Sequence, residues 1–179
     1  MKSGLKDCVD YVFIYSITIG EKMNKTGKKD FDGWIELKKQ IHYRGSFRTI
    51  KEGEIWWCKI GENVGREICG KGKDFLRPVL IVYKLSKHDF IGIPLTSQKH
   101  VGSWYVEFIF KNKIEYAVLV QLENISVHRL HYKMGEVPSS DLDTVLSRLC
   151  QLLKQKISSS YRARTGGYPR KSNCIISYS

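Results

Sequence analysis

The sequence predicts a mainly β chain with helices, in which an antiparallel sheet or small barrel carries a C-terminal helix packed on it. Three observations carry that expectation. Five apolar or alternating runs of strand length lie between residues 54 and 122, divided by Gly-, Lys- and Asn-rich turns. One later stretch repeats its leucines with a period of 3.6 residues. Of the 179 residues, 42% are hydrophobic and 12% aromatic, enough for one domain to bury a core.

The first element expected is a short amphipathic helix in "DFDGWIELKKQIHY". Phe31, Trp34, Ile35, Leu37, Lys38 and Ile41 fall at roughly helical spacing, and Asp30 or Asp32 offers a cap. Its expected role is to pack its apolar face on the domain. Strands are then expected in "EIWWCKI" (54–60), "RPVLIVYKL" (77–85), "DFIGIPL" (89–95), "SWYVEFIF" (103–110) and "EYAVLVQL" (115–122). In the fourth, Trp104, Val106, Phe108 and Phe110 alternate against Tyr105, Glu107 and Ile109. Adjacent strand residues point to opposite faces, so of Trp56 and Trp57 one is core and at most one is available to a ligand or a second copy. The last element is a helix in "PSSDLDTVLSRLCQLLKQKI" (138–157), with Ser139 or Ser140 as N-cap and Asp141 and Asp143 in its first turn.

Around these elements the chain divides into an N-terminal extension (1–29), a helix and linker (30–51), the sheet domain (52–157) and a basic tail (158–179). "VDYVFIYSITI" (9–19) is too short for a transmembrane helix and contains Asp10. Lys2 and Lys6 precede it as in a signal peptide, but no small-residue cleavage site follows, and Met23 offers an alternative start. The extension and the acid-free tail are expected to be disordered.

The formal charge is +12, from 30 Lys and Arg against 18 Asp and Glu. Such an excess favours an anionic partner: nucleic acid, an acidic protein or a membrane surface. The plainer reading is a basic surface that keeps the protein soluble. Cys8, Cys58, Cys69, Cys150 and Cys174 are odd in number and form no CxxC pair, which points to a reducing cytosol rather than a disulfide framework. Cys58 and Cys69 with His88 or His100 match no zinc spacing, so no metal site is expected and Cys58 reads as a small buried hydrophobe.

No GxSxG, P-loop, HExxH or dinucleotide fingerprint occurs. The polar residues of interest stand at strand ends. Arg77 follows the loop "GENVGREICGKGKDF", which carries Arg66, Glu67, Lys71 and Lys73 among four glycines. Such a loop suits close approach to a phosphate chain; solvated charges on a flexible hairpin are the commoner meaning of this composition. Pro78 keeps Arg77 out of the helical region. A guanidinium held there can grip a phosphate bidentately, although this stretch alone reads as a surface salt bridge. After the third strand, "PLTSQK" places Thr96, Ser97, Gln98 and Lys99 together, which in isolation is a polar turn.

Taken in order, "EGEIWWCKIGENVGREICG…RPVLIV…FIGIPLTSQ…YAVLVQLENISVHRL…KMGEVPSSDLDTVL" resembles the MazF/PemK family of toxins over about residues 52–155. The resemblance implies an SH3-like small barrel of the MazF/CcdB plasmid-maintenance-toxin type. It implies a cytoplasmic homodimer that cuts single-stranded RNA at short sequences without metal or cofactor and is neutralised by an acidic antitoxin. Arg77 matches the family's catalytic arginine and Thr96 its catalytic threonine or serine. Arg66, Glu67, Lys71, Lys73, Ser97, Gln98, Lys99 and Gln121 are the further RNA-binding candidates. The chain departs from the family in a longer loop before Arg77, in Val120 and Glu123 where an acid and an arginine are common, and in the helix at 31–42. A gyrase-binding toxin of the same fold and a non-catalytic barrel module are the rival readings.

Overall fold

The computed structural model describes residues 29–44 and 48–164. Helix α1 (Phe31–Arg44) is followed by strands β1 (Glu54–Lys59), β2 (Leu76–Lys84), β3 (Asp89–Thr96), β4 (Tyr105–Phe110), β5 (Lys113–Val118), β6 (Glu123–Ser126) and β7 (Leu130–Glu136), and then by helix α2 (Ser139–Arg164). The strands form one antiparallel sheet in the order β4-β5-β3-β2-β1-β7, with β6 also paired to β3. Strand β3 serves two neighbours because its first half pairs with β6 and its last two residues with β5. The ladder does not close. Its two ends still meet, since a Cβ on Gly135 of β7 would lie 3.0 Å from the Phe110 ring of β4. The expected mainly β fold with a C-terminal helix on the sheet is what forms, as a curled open sheet.

Two apolar clusters cover the two faces. Ile55, Leu80, Ile93, Leu95, Phe108 and Ala117 pack with Val145 and the leucines of α2. Ile50, Trp56, Cys58, Val79, Ile81 and Phe90 fill the other side with Val127 and Leu130. Successive β2 residues thus alternate between two buried faces, which is why "VLIV" is apolar throughout rather than period-2.

Strands β6 and β7 were not among the five expected. β6 has four residues, and β7 is an edge strand with only Leu130 buried, so neither carries an alternating apolar signal. The expected strand 115–122 stops at Val118, where the chain turns into a 3-10 segment, Leu119–Gln121. Strand β4 begins at Tyr105, and Trp104, expected on its inward face, is 50% exposed.

Asp30 caps α1, its carboxylate accepting from the Gly33 N–H at 2.9 Å. Only Trp34 of the apolar face is fully buried, against Phe75 and beneath the Arg129 guanidinium, while Phe31 and Ile35 remain exposed. At α2 the Pro138 carbonyl, not a serine hydroxyl, receives the N–H groups of Asp141 and Leu142. Helix α2 continues to Arg164, so 158–164, expected in the disordered tail, belong to it; no Gly or Pro interrupts before Gly166. The other stretches expected to be disordered, 1–28 and 165–179, lie outside the described residues. Among those described, no helix is long and apolar enough to cross a membrane.

Glu54 is the one charged group in the core of the described residues. Its carboxylate accepts from the Trp56 indole and the Lys133 ammonium, each at 2.8 Å. Burial alone would raise its pKa, but these bonds outweigh it and hold the pKa below the ordinary carboxylate value. The contribution to stability is therefore present above roughly pH 4.3 and is lost as the pH falls through that value toward the folded-state pKa. In urea titrations from pH 7 to 3, Glu54→Gln should show a shallower acid loss of stability than wild type; parallel curves would refute the coupling.

Candidate active site

Strand β2 enters the sheet at Leu76 and Arg77, ahead of Pro78. Val79 lies opposite Pro94 on β3, and the same register carried two residues outward brings Arg77 opposite Thr96. The guanidinium confirms the approach: its Nη1 donates to the Leu95 carbonyl at 3.2 Å and its Nε to the Cys69 carbonyl at 2.7 Å. Arg77 is half-buried, and burial lowers its pKa while Cys69 acts the other way. Among the described residues no carboxylate pairs with it. The surface salt bridge that the local sequence suggested does not form among the described residues. Two of the five N–H donors of an arginine are engaged by carbonyls, and the rest stay available.

Thr96 ends β3. Its hydroxyl oxygen accepts from the Gln98 N–H at 3.3 Å, which leaves the hydroxyl proton free to donate. Tyr116 of β5 lies opposite it, and nearby the His100 ring stacks on Tyr105 at 4.4 Å and 6°. A cation with spare donors and a hydroxyl donor thus stand at adjacent strand ends, an arrangement that suits an oxyanion such as a phosphoryl group.

The loop 61–75 is not an open flap. The Ile60 and Gly61 N–H groups both donate to the Phe75 carbonyl, and the Gly70 N–H donates to the Gly61 carbonyl at 2.8 Å. Gly61 has φ +97°, and a Cβ there would lie 2.1 Å from the Trp34 ring, so only glycine permits α1 to sit down on the loop. Arg66 and Glu67 occupy an exposed turn in which Glu67 accepts from the Val64 N–H. Lys71 and Lys73 stand exposed on the hairpin tip, with no bond or ion pair to Arg77 or Thr96. Ser97, Gln98 and Lys99 are exposed just beyond Thr96. Gln121 is drawn in from the 3-10 turn, its side-chain oxygen accepting from the Ile68 N–H at 3.2 Å.

Beside this point a cleft of about 300 Å³ is lined by Asn63, Glu67, Ile68, Gln121 and Glu123 among others. Burial raises the pKa of Glu123, Arg129 opposes that and Glu67 adds to it. An acidic cleft thus lies in a basic protein, and Glu123 in it stands where the resemblance implies an arginine. Trp56 is core and Trp57 lies half-buried against the Tyr132 ring, in keeping with opposite faces. Among the described residues no three His, Cys, Asp or Glu side chains gather as a metal site.

The two carbonyls that aim Arg77 were invisible in the sequence, because a main-chain acceptor has no residue type. Asn63 was equally hidden within a turn. Cys69 stood out in the sequence only as a cysteine that matches no zinc spacing.

The geometry is a curled open β sheet with a guanidinium and a hydroxyl at neighbouring strand ends, and comparison with known proteins adds the family. The model of PemK-like, MazF-like toxins of type II toxin-antitoxin systems matches residues 51–153. Among solved structures, a mycobacterial endoribonuclease in complex with its cognate antitoxin is 17% identical, with 59% of this chain and 96% of that chain covered and a TM-score of 0.47. MazF from Deinococcus radiodurans is 17% identical, over 60% of this chain and 98% of that one, with a TM-score of 0.47. The toxin MazF-mt6 of Mycobacterium tuberculosis is 15% identical, over 56% and 96%, with a TM-score of 0.44. No curated protein matches the chain. The family model spans more than half of the residues, and the chain belongs to the PemK-like, MazF-like toxins of type II toxin-antitoxin systems.

Burial pushes the Cys58 thiol up to about 12, which keeps it protonated and inert, while Cys150 is exposed. Iodoacetamide at pH 8 should alkylate Cys150 in the folded protein and spare Cys58 until urea is added. Peptide mass spectrometry showing Cys58 modified first would contradict this burial.

Proposed function

We propose that this protein is a sequence-selective endoribonuclease that cuts single-stranded RNA, including mRNA, without a metal ion and is neutralised by an acidic antitoxin. One observation carries the reading: Arg77 is half-buried, has no carboxylate partner among the described residues, and stands at the strand end that the register brings opposite Thr96. Holding a cation in low-dielectric surroundings costs free energy, which an incoming anion offsets.

In the proposed reaction the 2′-oxygen of the RNA attacks the adjacent phosphorus. The P–O5′ bond breaks, the 2′-hydroxyl loses its proton and the departing 5′-oxygen gains one. The products are a 2′,3′-cyclic phosphate and a 5′-hydroxyl, and no water is consumed. The nucleophile belongs to the substrate, so the protein need only orient the phosphate, stabilise charge on its oxygens and assist proton transfer. Arg77 supplies the charge, and Thr96 donates one hydrogen bond to a phosphoryl oxygen. A proton-donor role for Arg77 follows from the family resemblance; burial moves its pKa in the direction such a role requires. In this reading Arg66, Glu67, Gln98 and Gln121 meet the flanking nucleotides, with Ser97, Lys99, Lys71 and Lys73 as further RNA contacts. The same reading includes a cytoplasmic homodimer. The gyrase-binding and non-catalytic alternatives place no demand on a free arginine beside a hydroxyl.

Purified protein incubated with mixed single-stranded RNA in EDTA should produce ends carrying cyclic phosphate. Arg77→Ala and Thr96→Ala should each lower the rate by roughly 10²–10³-fold, as expected for loss of a donor to developing charge. A wild type that leaves RNA intact would sink the assignment, and undiminished cutting by either variant would remove that residue from it. DNA of the same sequence, lacking the 2′-hydroxyl, should remain whole; its cleavage would exclude the 2′-oxygen as nucleophile.

A further inference from the structure

Arg77 is aimed by a carbonyl that sits on a loop, and loops are ordinarily the mobile part of a fold. Here the segment 68–70 is fastened at most of its polar atoms. The Ile68 N–H donates to the Gln121 side chain at 3.2 Å, and the Ile68 carbonyl accepts from Asn63 Nδ2 at 2.7 Å. Cys69 Sγ accepts from the Asn63 N–H at 3.3 Å and from the Lys29 ammonium at 3.5 Å. The same ammonium also donates to the Asn63 carbonyl. Gly70 passes so close to Phe75 that a Cβ would lie 1.8 Å from its carbonyl oxygen. Cys69 O then receives Arg77 Nε.

Lys29 and helix α1 lie outside the family-matched residues 51–153. Lys29 immediately precedes Asp30, which caps α1, and Trp34 one turn later is seated on Gly61 and Phe75 at the two ends of the same loop. The helix and the lysine therefore hold the loop from one side while Gln121 holds it from the other. We propose that Lys29 and Asn63 are positioning residues for Arg77, and that the segment leading into α1 is thereby part of the active site. The proposal rests on Arg77 being the catalytic arginine. It explains how a lengthened loop keeps a guanidinium aimed: removing the lysine takes away one of the bonds that hold Cys69, and so loosens one of the two carbonyls that orient the side chain. Catalytic groups lose effectiveness when displaced by as little as about 1 Å.

The test reads the arginine directly. In ¹⁵N-labelled protein, Arg77 Nε–H should exchange slowly with solvent. Lys29→Met and Asn63→Ala should each speed that exchange about tenfold or more and lower the single-turnover cleavage rate by a similar factor. Affinity for an uncleavable 2′-deoxy RNA should change less than about twofold, since no phosphate contact is removed. Lys29→Arg should restore both exchange and rate, and the thermal midpoint of Lys29→Met should stay near wild type, separating positioning from loss of fold. Unchanged Nε–H exchange in both variants would overturn the proposal whatever the activity. Faster exchange in variants of a wild type that never cuts RNA would support the tether and defeat the nuclease reading instead.

Discussion

From Val79 to Val82 the side chains of β2 are at most 3% exposed, and they point alternately into two separate apolar clusters. A strand covered on both faces tolerates no unpaired polar group along its middle. Its polar chemistry must lie at its ends, where the cover stops. Strand β3 beside it is buried from Ile93 to Leu95 and becomes accessible only at Thr96. The antiparallel register puts the opening end of β2 against the closing end of β3, so one rim of the sheet receives both a cation and a hydroxyl.

That rim is shaped chiefly by main-chain groups. Arg77 meets two carbonyls rather than a carboxylate, which directs the guanidinium without neutralising it. A carboxylate partner would have competed with any incoming phosphate. The acidic groups Glu67 and Glu123 line instead the cleft that Ile68 and Gln121 also line. A net positive charge favours approach by anions in general.

The N-terminal helix is joined to the domain through one large side chain and one glycine. Trp34 fits because Gly61 has no Cβ, and its indole also meets the Phe75 ring and the Arg129 guanidinium. This contact fastens the two ends of the long loop under the helix, while its charged turn and tip stay exposed. Composition suggested mobility there because glycine and lysine are counted without regard to what lies above them.

The fully buried strands, the Leu-rich final helix and the Asp30 cap were legible in the sequence, because each is specified by local periodicity or by a side chain acting within a few residues. The order of short motifs singled out Arg77 and Thr96, which the register brings to neighbouring strand ends. Strands β6 and β7 were not legible, since one has four residues and the other, at the sheet edge, has a mostly polar, partly exposed surface. Nor were the break after Val118 and the partners of Arg77. The sequence by itself determined which residues carry charge, which runs must be buried and where helices start. Only the tertiary structure decided what those charges face: strand register, two backbone carbonyls and a lysine far away in sequence depend on contacts that no residue type announces.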